Sequence, residues 1–529
     1  MLMFSGKAHA GRDVKKSRDR FTRINRAMNE NRYQEALSLA SDLVKLQPDN
    51  ENIAYNSAGL YIDAGQGLKD INLINRGIKW FEAYARGLDR PKTRMEIGSL
   101  YNLANGHAAR QNLESSGRTA VDRSHDPDTI EQKKCYRRAA ESSTQGDRDL
   151  AAKSLVNFGN LLRGLGRHVE ALDQYEAALE LIPRHGAALV QSAYSFMMTG
   201  HLARRRIRPH LIEIEDRLRR ALMSKTALIQ IAGRGLLESA EKDLQEVEKG
   251  LQRYGGARAV REWVLRSELL GKHSFKPARG YASFWARNRL FISANARLPR
   301  NRLYWMDEIG PVLPRGAEWP GGVLQRELAE RLDEMKTDYA VARFLFTTGD
   351  ESGRKLTRRR AAAAMPRPGS EDLPAVPIGL MKVAYRVAAD ILDKAAGYIN
   401  SLLGLGIKDE RVYLRTIWYE SERIERPISR RATEALSRNP YVRGLFDLSL
   451  DWRNADLDDN LRRLRHALTH RYVPIHIEAG SDIAAGGESL TPEKIRSYAM
   501  LLLRTARAAI IHVVGATEME IPHRLKARK

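Results

Sequence analysis

Along most of the chain, apolar positions recur at intervals of three and four, the spacing of amphipathic helices rather than strands. The clearest stretch is SLVNFGNLLRGLGRHVEALDQYEAALELIP, Ser154 to Pro183. Large apolar residues stand at Leu155, Phe158, Leu162, Leu165 and Tyr175, and small ones at Gly159, Ala171 and Ala178. The pattern predicts two helices joined by a short Gly-Arg turn at Gly166. The small residues let the helices approach closely, and Pro183 ends the second.

The pattern recurs. Ala193 falls where Gly159 did after about 34 residues, and Gly200-His201 makes the next turn. Upstream, in NRYQEALSLASDLVKLQPDN, Ala36 and Pro48 align with Ala171 and Pro183, while Leu43 replaces the small Ala178. NIAYNSAGLYIDAG, from Asn52, reads as a following first helix. Segments 70–88 and 94–112 read as helical, and 113–147 as a loop and one helix inserted between repeats. The pattern resembles the tetratricopeptide (TPR) repeat and places a TPR-like array at 18–255, behind a basic tail at 1–17. The resemblance implies a concave face that binds a peptide or protein and has no chemistry of its own.

Past a connection at 256–279 the character changes. The Trp- and Tyr-rich FWARNRLFISANARLPRNRLYWMDEIGP (284–311) precedes an amphipathic helix from Leu324 to Phe344. Glycine, proline and the basic run Arg358–Arg360 predict a mobile loop at 347–377. Another helix follows Ile378, capped by Gly404 or Gly406. Further helices are expected at 410–425, 429–448, 456–473 and 491–515, before a basic tail at 516–529. The expected fold class is all-α: a helical-hairpin solenoid followed by a helical bundle at 280–515.

Composition narrows the function. The 529 residues carry a formal charge of +23, which attracts phosphate-rich partners: RNA, DNA or an anionic membrane surface. A lone cysteine, Cys135, excludes an intrachain disulfide and a cysteine-rich zinc site, and suits a reducing cytoplasm. The N-terminus lacks the apolar stretch of a signal peptide. The nearest approach to a membrane span, Tyr498 to Ala516, contains Arg504 and Arg507, so it reads as a packed or amphipathic helix. GAEWPGG and AAGGES lack the Lys-Ser/Thr ending of a nucleotide-binding loop.

Candidate chemistry concentrates in LRRLRHALTHRYVPIH, Leu461 to His476. On a helix Leu461, Leu464, Leu468 and Tyr472 form one apolar stripe. His466 and His470, four apart, lie nearly opposite it, flanked by Arg462 and Arg463, and Pro474 ends the helix. Three readings compete. A solvated basic face explains the arginines but not the paired histidines. A zinc site could use His466, His470 and His476, but no acidic residue accompanies them and the arginines repel a divalent ion. In metal-free RNA cleavage, a histidine takes the proton of a ribose 2′-OH and an arginine offsets charge on the phosphate.

Arg465-His466-Ala467-Leu468-Thr469-His470 resembles the signature of HEPN ribonucleases: an arginine, a polar residue, then a histidine a few positions on. DYAVARFLF (338–346), LMKVAYRVAADILDKAAGYIN (380–400) and RTIWY (415–419) extend the resemblance over about 280–515, to the HEPN branch that follows TPR repeats. The resemblance implies a bundle that dimerises with its signature helices in one composite cleft, and needs neither metal nor cofactor. It implies 2′,3′-cyclic phosphate and 5′-hydroxyl products. By matching positions, His470 is the base or acid, Arg465 binds the scissile phosphate and His466 orients it or assists proton transfer. Arg462, Arg463 and Arg471 would hold the RNA backbone. Arg465 and His470 diverge by about 140° on a straight helix, so they converge only where the helix frays or across a dimer seam.

Asp390 and Asp393 could face the cleft or pair with Lys382, Arg386 or Lys394; Trp418 and Tyr419 could stack on bases or pack in the core. IPHRLKARK (521–529) reads as a basic tail that touches RNA nonspecifically. The expectation is a cytoplasmic endoribonuclease governed through its repeats, used in phage defence, stress or a toxin–antitoxin pair. The alternatives are a non-catalytic scaffold binding RNA or protein, and a repeat-bearing DNA-binding regulator, for which no helix-turn-helix signature is present.

Overall fold

The computed structural model describes residues 12–526 except 87, 89–90, 92, 115–119, 144–146, 201, 203–206, 271–280, 282–283, 286–287, 294–306, 308, 312–321, 356–374, 425 and 454–490. Among the described residues there are helices, short 3-10 turns and one isolated bridge, Tyr419 to Ile428, but no strand. The all-α class holds. Contacts divide the chain into two compact units. One is Met1–Leu161 with Gln174–Ala188; the other is Leu162–Asp173 with Leu189–Lys529.

The first unit holds α1 (Arg12–Asn29), α2 (Tyr33–Leu46), α3 (Glu51–Leu68), α4 (Ile71–Ala85), α5 (Arg94–Glu114), α6 (Ala120–His125) and α7 (Pro127–Ser143). It also takes in residues 148–161 of α8 (Arg148–Gly164) and 174–181 of α9 (His168–Leu181). Each helix from α1 to α5 packs on the next, and α7 packs on α5. Local chemistry sets the starts. The Asn50 side chain accepts a hydrogen bond from Ile53 N, and the Asp70 side chain accepts from Asn72 N, so each caps the helix behind it. Phe21, Ile24, Ala36, Ala40, Leu43, Ile53 and Leu60 form one buried cluster.

The small residues do what the pattern asked of them. A Cβ on Gly159 would meet the Tyr175 ring at 2.5 Å, so only glycine admits that ring at this crossing. The helix expected as an insertion within 113–147 is instead the packing partner of α5. His107 Nδ1 lies 2.8 Å from Asp128 Oδ1, and Arg110 Nε donates to Asp128 Oδ2 at 3.0 Å. Burial opposes the Asp128 charge, but His107 and Arg110 together pull its carboxyl down to about 2.

The second unit contains α10 (Gly186–Thr199) from Leu189 on, α11 (Ile207–Leu222), α12 (Lys225–Ala232), α13 (Arg234–Gln252) and α14 (Gly256–Leu270). Its bundle is built from α15 (Gly322–Lys355), α16 (Ala375–Leu403), α17 (Arg430–Arg438), α18 (Pro440–Arg453) and α19 (Pro492–Lys526). α15, α16 and α19 pack mutually, and α18 lies on α19. Leu328, Leu332, Met335, Tyr339, Ala342 and Phe346 line the buried face of α15 at alternating spacings of four and three. α16 ends at Leu403, where Gly404 (φ +63°) and Gly406 (φ +78°) adopt left-handed backbone.

Three expectations are corrected here. α15 does not end near Phe344 but runs to Lys355. Thr347 Oγ1 donates back to Arg343 O and accepts from Trp285 Nε1, and Asp350 pairs with Arg496. A glycine sits at 349 because a Cβ there would press on Pro377 O at 2.7 Å. The rest of the expected loop, with Arg358–Arg360, lies outside the described residues. Segment 410–425 forms two 3-10 turns, Asp409–Arg411 and Glu420–Glu422, rather than a helix. Ser421 and Glu422 have positive φ, and Trp418 is buried with its Nε1 donating to Leu414 O at 2.7 Å. The single helix expected at 429–448 is two, broken at Asn439, whose Oδ1 caps Tyr441 N and Val442 N.

Part of α19, Pro492–Ile521, is long and apolar enough to cross a membrane by length and composition, yet its most apolar window is 78% buried inside the protein. It is the core helix of this unit. The Trp-rich stretch near 284–311 is explained by Arg343, whose guanidinium lies 4.1 Å from the Trp285 ring centroid and donates to Leu290 O and Asp307.

Candidate functional site

Arg462, Arg463, Arg465, His466, His470 and Arg471 all lie outside the described residues, as does the helix expected at 456–473. The structure describes the frame that delivers this segment: α18 ends at Arg453, and α19 starts at Pro492. The frame carries a concentration of buried charge.

Asp447 and Asp451 stand four apart on the last turns of α18, with 0% and 5% of their surface exposed. Two like charges one turn apart repel and are costly to bury unless a cation meets them. That cation is Arg167, from the turn between α8 and α9. Its Nη1 lies 3.2 Å from Asp447 Oδ2 and also pairs with Asp451 Oδ2. Its Nε lies 2.8 Å from Glu170 Oε1. Burial works against the Arg167 charge, but Asp451, Glu170 and Asp447 outweigh it and hold the group well above its ordinary value.

The network continues into α19. Glu170 Oε2 lies 3.0 Å from His512 Nε2. Burial would raise the Glu170 carboxyl, but Arg167 and His512 drive it well below the usual carboxylate range. Asp173 stands 3.4 Å from Arg507 and 3.5 Å from Arg289. His168, beside Glu170, is pushed down to about 4, first by burial and then by His512, Arg163 and Arg443. The Nδ1 atoms of His168 and His512 are buried without a protein hydrogen-bond partner.

Close backbone approach makes this possible. Gly166 has φ +87°, and a Cβ there would collide with Pro440 O at the start of α18. Gly444 is bracketed by α19 and the turn: its Cβ would meet His512 Cε1 at 2.6 Å and Gly166 O at 2.8 Å.

The minor candidates resolve. Asp393 Oδ1 accepts from Leu414 N at 3.1 Å, and Lys394 pairs with Glu334 and Asp338 instead of Asp390 or Asp393. Trp418 is core, in edge contact with Phe446. Among the described residues no group of three or more His, Cys, Asp or Glu side chains is placed to hold a metal ion.

Sequence reasoning missed Arg167, Glu170, Asp447, Asp451 and His512. One signal was available: Asp447 and Asp451 are acidic residues at helical spacing within the apolar text LFDLSLDW, which announces buried carboxylates in need of a partner. Nothing in the linear text joins them to Arg167.

Residues 325–520 match the family model described as LA2681-like HEPN. The match runs from α15 into α19 and spans the segment that carries Arg465 and His470. It leaves the hairpin repeats uncovered. No curated protein matches the chain.

Proposed function

We propose that this protein is a metal-independent endoribonuclease whose HEPN-type bundle cleaves RNA by attack of a ribose 2′-OH. One observation carries the reading: the arginine–histidine signature falls within the HEPN match, between two bundle helices, α18 and α19.

The chemistry follows from the residue types. His470 takes the proton of the 2′-OH, the 2′-oxygen bonds to phosphorus, and the bond from phosphorus to the 5′-oxygen breaks. Arg465 offsets the charge that builds on the phosphate. The leaving 5′-oxygen receives a proton from an imidazolium, His466 or a second His470 across a dimer seam. The products are a 2′,3′-cyclic phosphate and a 5′-hydroxyl. Arg462, Arg463 and Arg471 hold the backbone, in keeping with the net charge of +23. A homodimer through the bundle, a peptide or protein ligand on the hairpin repeats, and a role in phage defence, stress or toxin–antitoxin control complete the proposal, in the cytoplasm.

Purified protein incubated with RNA in excess EDTA tests it. Cleavage that disappears in Arg465→Ala and His470→Ala, with helical content unchanged, supports the enzyme. Salt-dependent RNA binding without cleavage, unaffected by both changes, supports a non-catalytic scaffold instead.

A further inference from the structure

The turn Leu162–Asp173 lies more than 150 residues upstream of the HEPN match, yet it belongs to the same compact unit as the matched bundle. The residues immediately before it, to Leu161, and immediately after it, from Gln174, are counted with the first unit. One hairpin of the repeat array therefore has its joint built into the bundle.

The joint is held chemically rather than by apolar contact alone. Arg167 supplies the positive charge that Asp447 and Asp451 meet at the end of α18, Glu170 meets His512 of α19, and Asp173 meets Arg507 of α19 and Arg289. With the turn displaced, Asp447 and Asp451 would face each other in a buried position without Arg167, and Glu170 would be parted from His512. Carboxylates in that state must be hydrated or protonated, so the last turns of α18 would open. The end of α18 thus has two arrangements, closed with the turn seated and open without it. Arg453 closes the helix, and the chain then enters the segment bearing Arg465 and His470.

We infer that Arg167 is a positioning residue of the ribonuclease site: by neutralising Asp447 and Asp451 it holds the helix that leads into the catalytic segment, and so ties cleavage to the seating of a repeat hairpin. The inference rests on the ribonuclease reading above, but its structural half stands apart from it. Arg167 touches no substrate. It acts through α18, and a load on the repeat helices that shifts this turn changes the site by unlocking that helix.

The experiment uses the full chain and three forms: intact, Arg167→Met, and the triple variant Arg167→Met with Asp447→Asn and Asp451→Asn. The triple variant removes the buried charges on both sides of the joint and keeps the side-chain shapes. Amide hydrogen exchange is followed in 441–453 and, as an internal reference, in 388–402 of α16; RNA cleavage is followed in EDTA.

The expected result is that Arg167→Met speeds exchange in 441–453 by at least about tenfold while 388–402 stays protected, and lowers kcat/KM by a similar factor. The triple variant restores most of both. Unchanged exchange in 441–453, an equal rise in both segments, or faster exchange with undiminished cleavage would each overturn the inference. So would a triple variant as impaired as Arg167→Met. If Arg167→Met does not fold, the triple variant decides alone: protection and cleavage near the intact level support the inference, and loss of both overturns it. Should the intact protein leave RNA uncut, the ribonuclease reading fails and with it the catalytic half; the exchange pattern still decides whether Arg167 locks α18.

Discussion

Arg167 Nη1 lies 3.2 Å from Asp447 Oδ2, although 280 positions separate the two residues along the chain. The contact joins the turn of a helical hairpin to the last helix before the arginine–histidine segment. It brings together buried charges that each need the other.

Removing one partner exposes that dependence. Arg167→Ala leaves Asp447 and Asp451 buried without their shared cation, and the expected loss is about 3–5 kcal/mol of unfolding free energy. Chemical denaturation of the full chain measures it. A loss below about 1 kcal/mol, the range of an exposed ion pair, would contradict the buried-charge lock.

Stability is expected to fall on mild acidification, and His168 sets the window. Its folded value is pushed down to about 4, below the ordinary histidine value, so the unfolded chain binds this proton more readily than the folded one. The stabilisation is present above about pH 6.5 and is lost as pH falls toward 4, by about 3 kcal/mol in total. Glu170 acts in the same direction at lower pH. Its carboxyl is depressed by Arg167 and His512 against the effect of burial, so its contribution is present above the ordinary carboxylate value and lost as pH falls below it. Thermal melts between pH 8 and 4 on the intact chain and on His168→Phe measure the first effect. The variant flattens the curve between pH 6.5 and 4; an unchanged slope there would show that His168 does not set it.

Gly444→Ala places a methyl group 2.6 Å from His512 Cε1 and 2.8 Å from Gly166 O. One neighbour is a ring fixed by Glu170 and the other is backbone, so little room can be made. A loss of about 1–3 kcal/mol is expected from such overpacking. Gly235→Ala, where nothing lies within 4 Å of the added carbon, is the control and is expected to be neutral or slightly stabilising.

Cys135 is buried, and burial pushes its thiol up to about 12. It is expected to resist a thiol reagent at neutral pH in the native protein and to react only as the first unit opens. Rapid stoichiometric labelling without denaturant would contradict the packing of α7 on α5.

The helical class, the hairpin at Ser154–Pro183 and the long bundle helices were legible because each is a local pattern. Gly159 beneath Tyr175 and the alternating stripe from Leu328 to Phe346 are written in the spacing itself. What was not legible is tertiary. The extension of α15 past Thr347 depends on Trp285 and Arg496, far away in the chain. The irregular path at 410–425 depends on Trp418 seeking the core, and on Leu414 N reaching Asp393 on α16. The candidate chemistry at Arg465 and His470 was visible as a motif, while its supporting charges were not: Arg167 reads as an ordinary turn residue until Asp447 is placed beside it. Periodicity marks which face is buried, but not which distant charge will neutralise a carboxylate on it.

The proposed cleavage is tested most directly by the ends it leaves on RNA. The measurement is the terminal chemistry of total cellular RNA after induced expression of the intact chain and of His470→Ala. New 2′,3′-cyclic phosphate and 5′-hydroxyl ends are expected with the intact chain and none with the variant. Equal end profiles for the two, or new ends bearing 5′-phosphate, would contradict a metal-independent attack by the ribose 2′-OH.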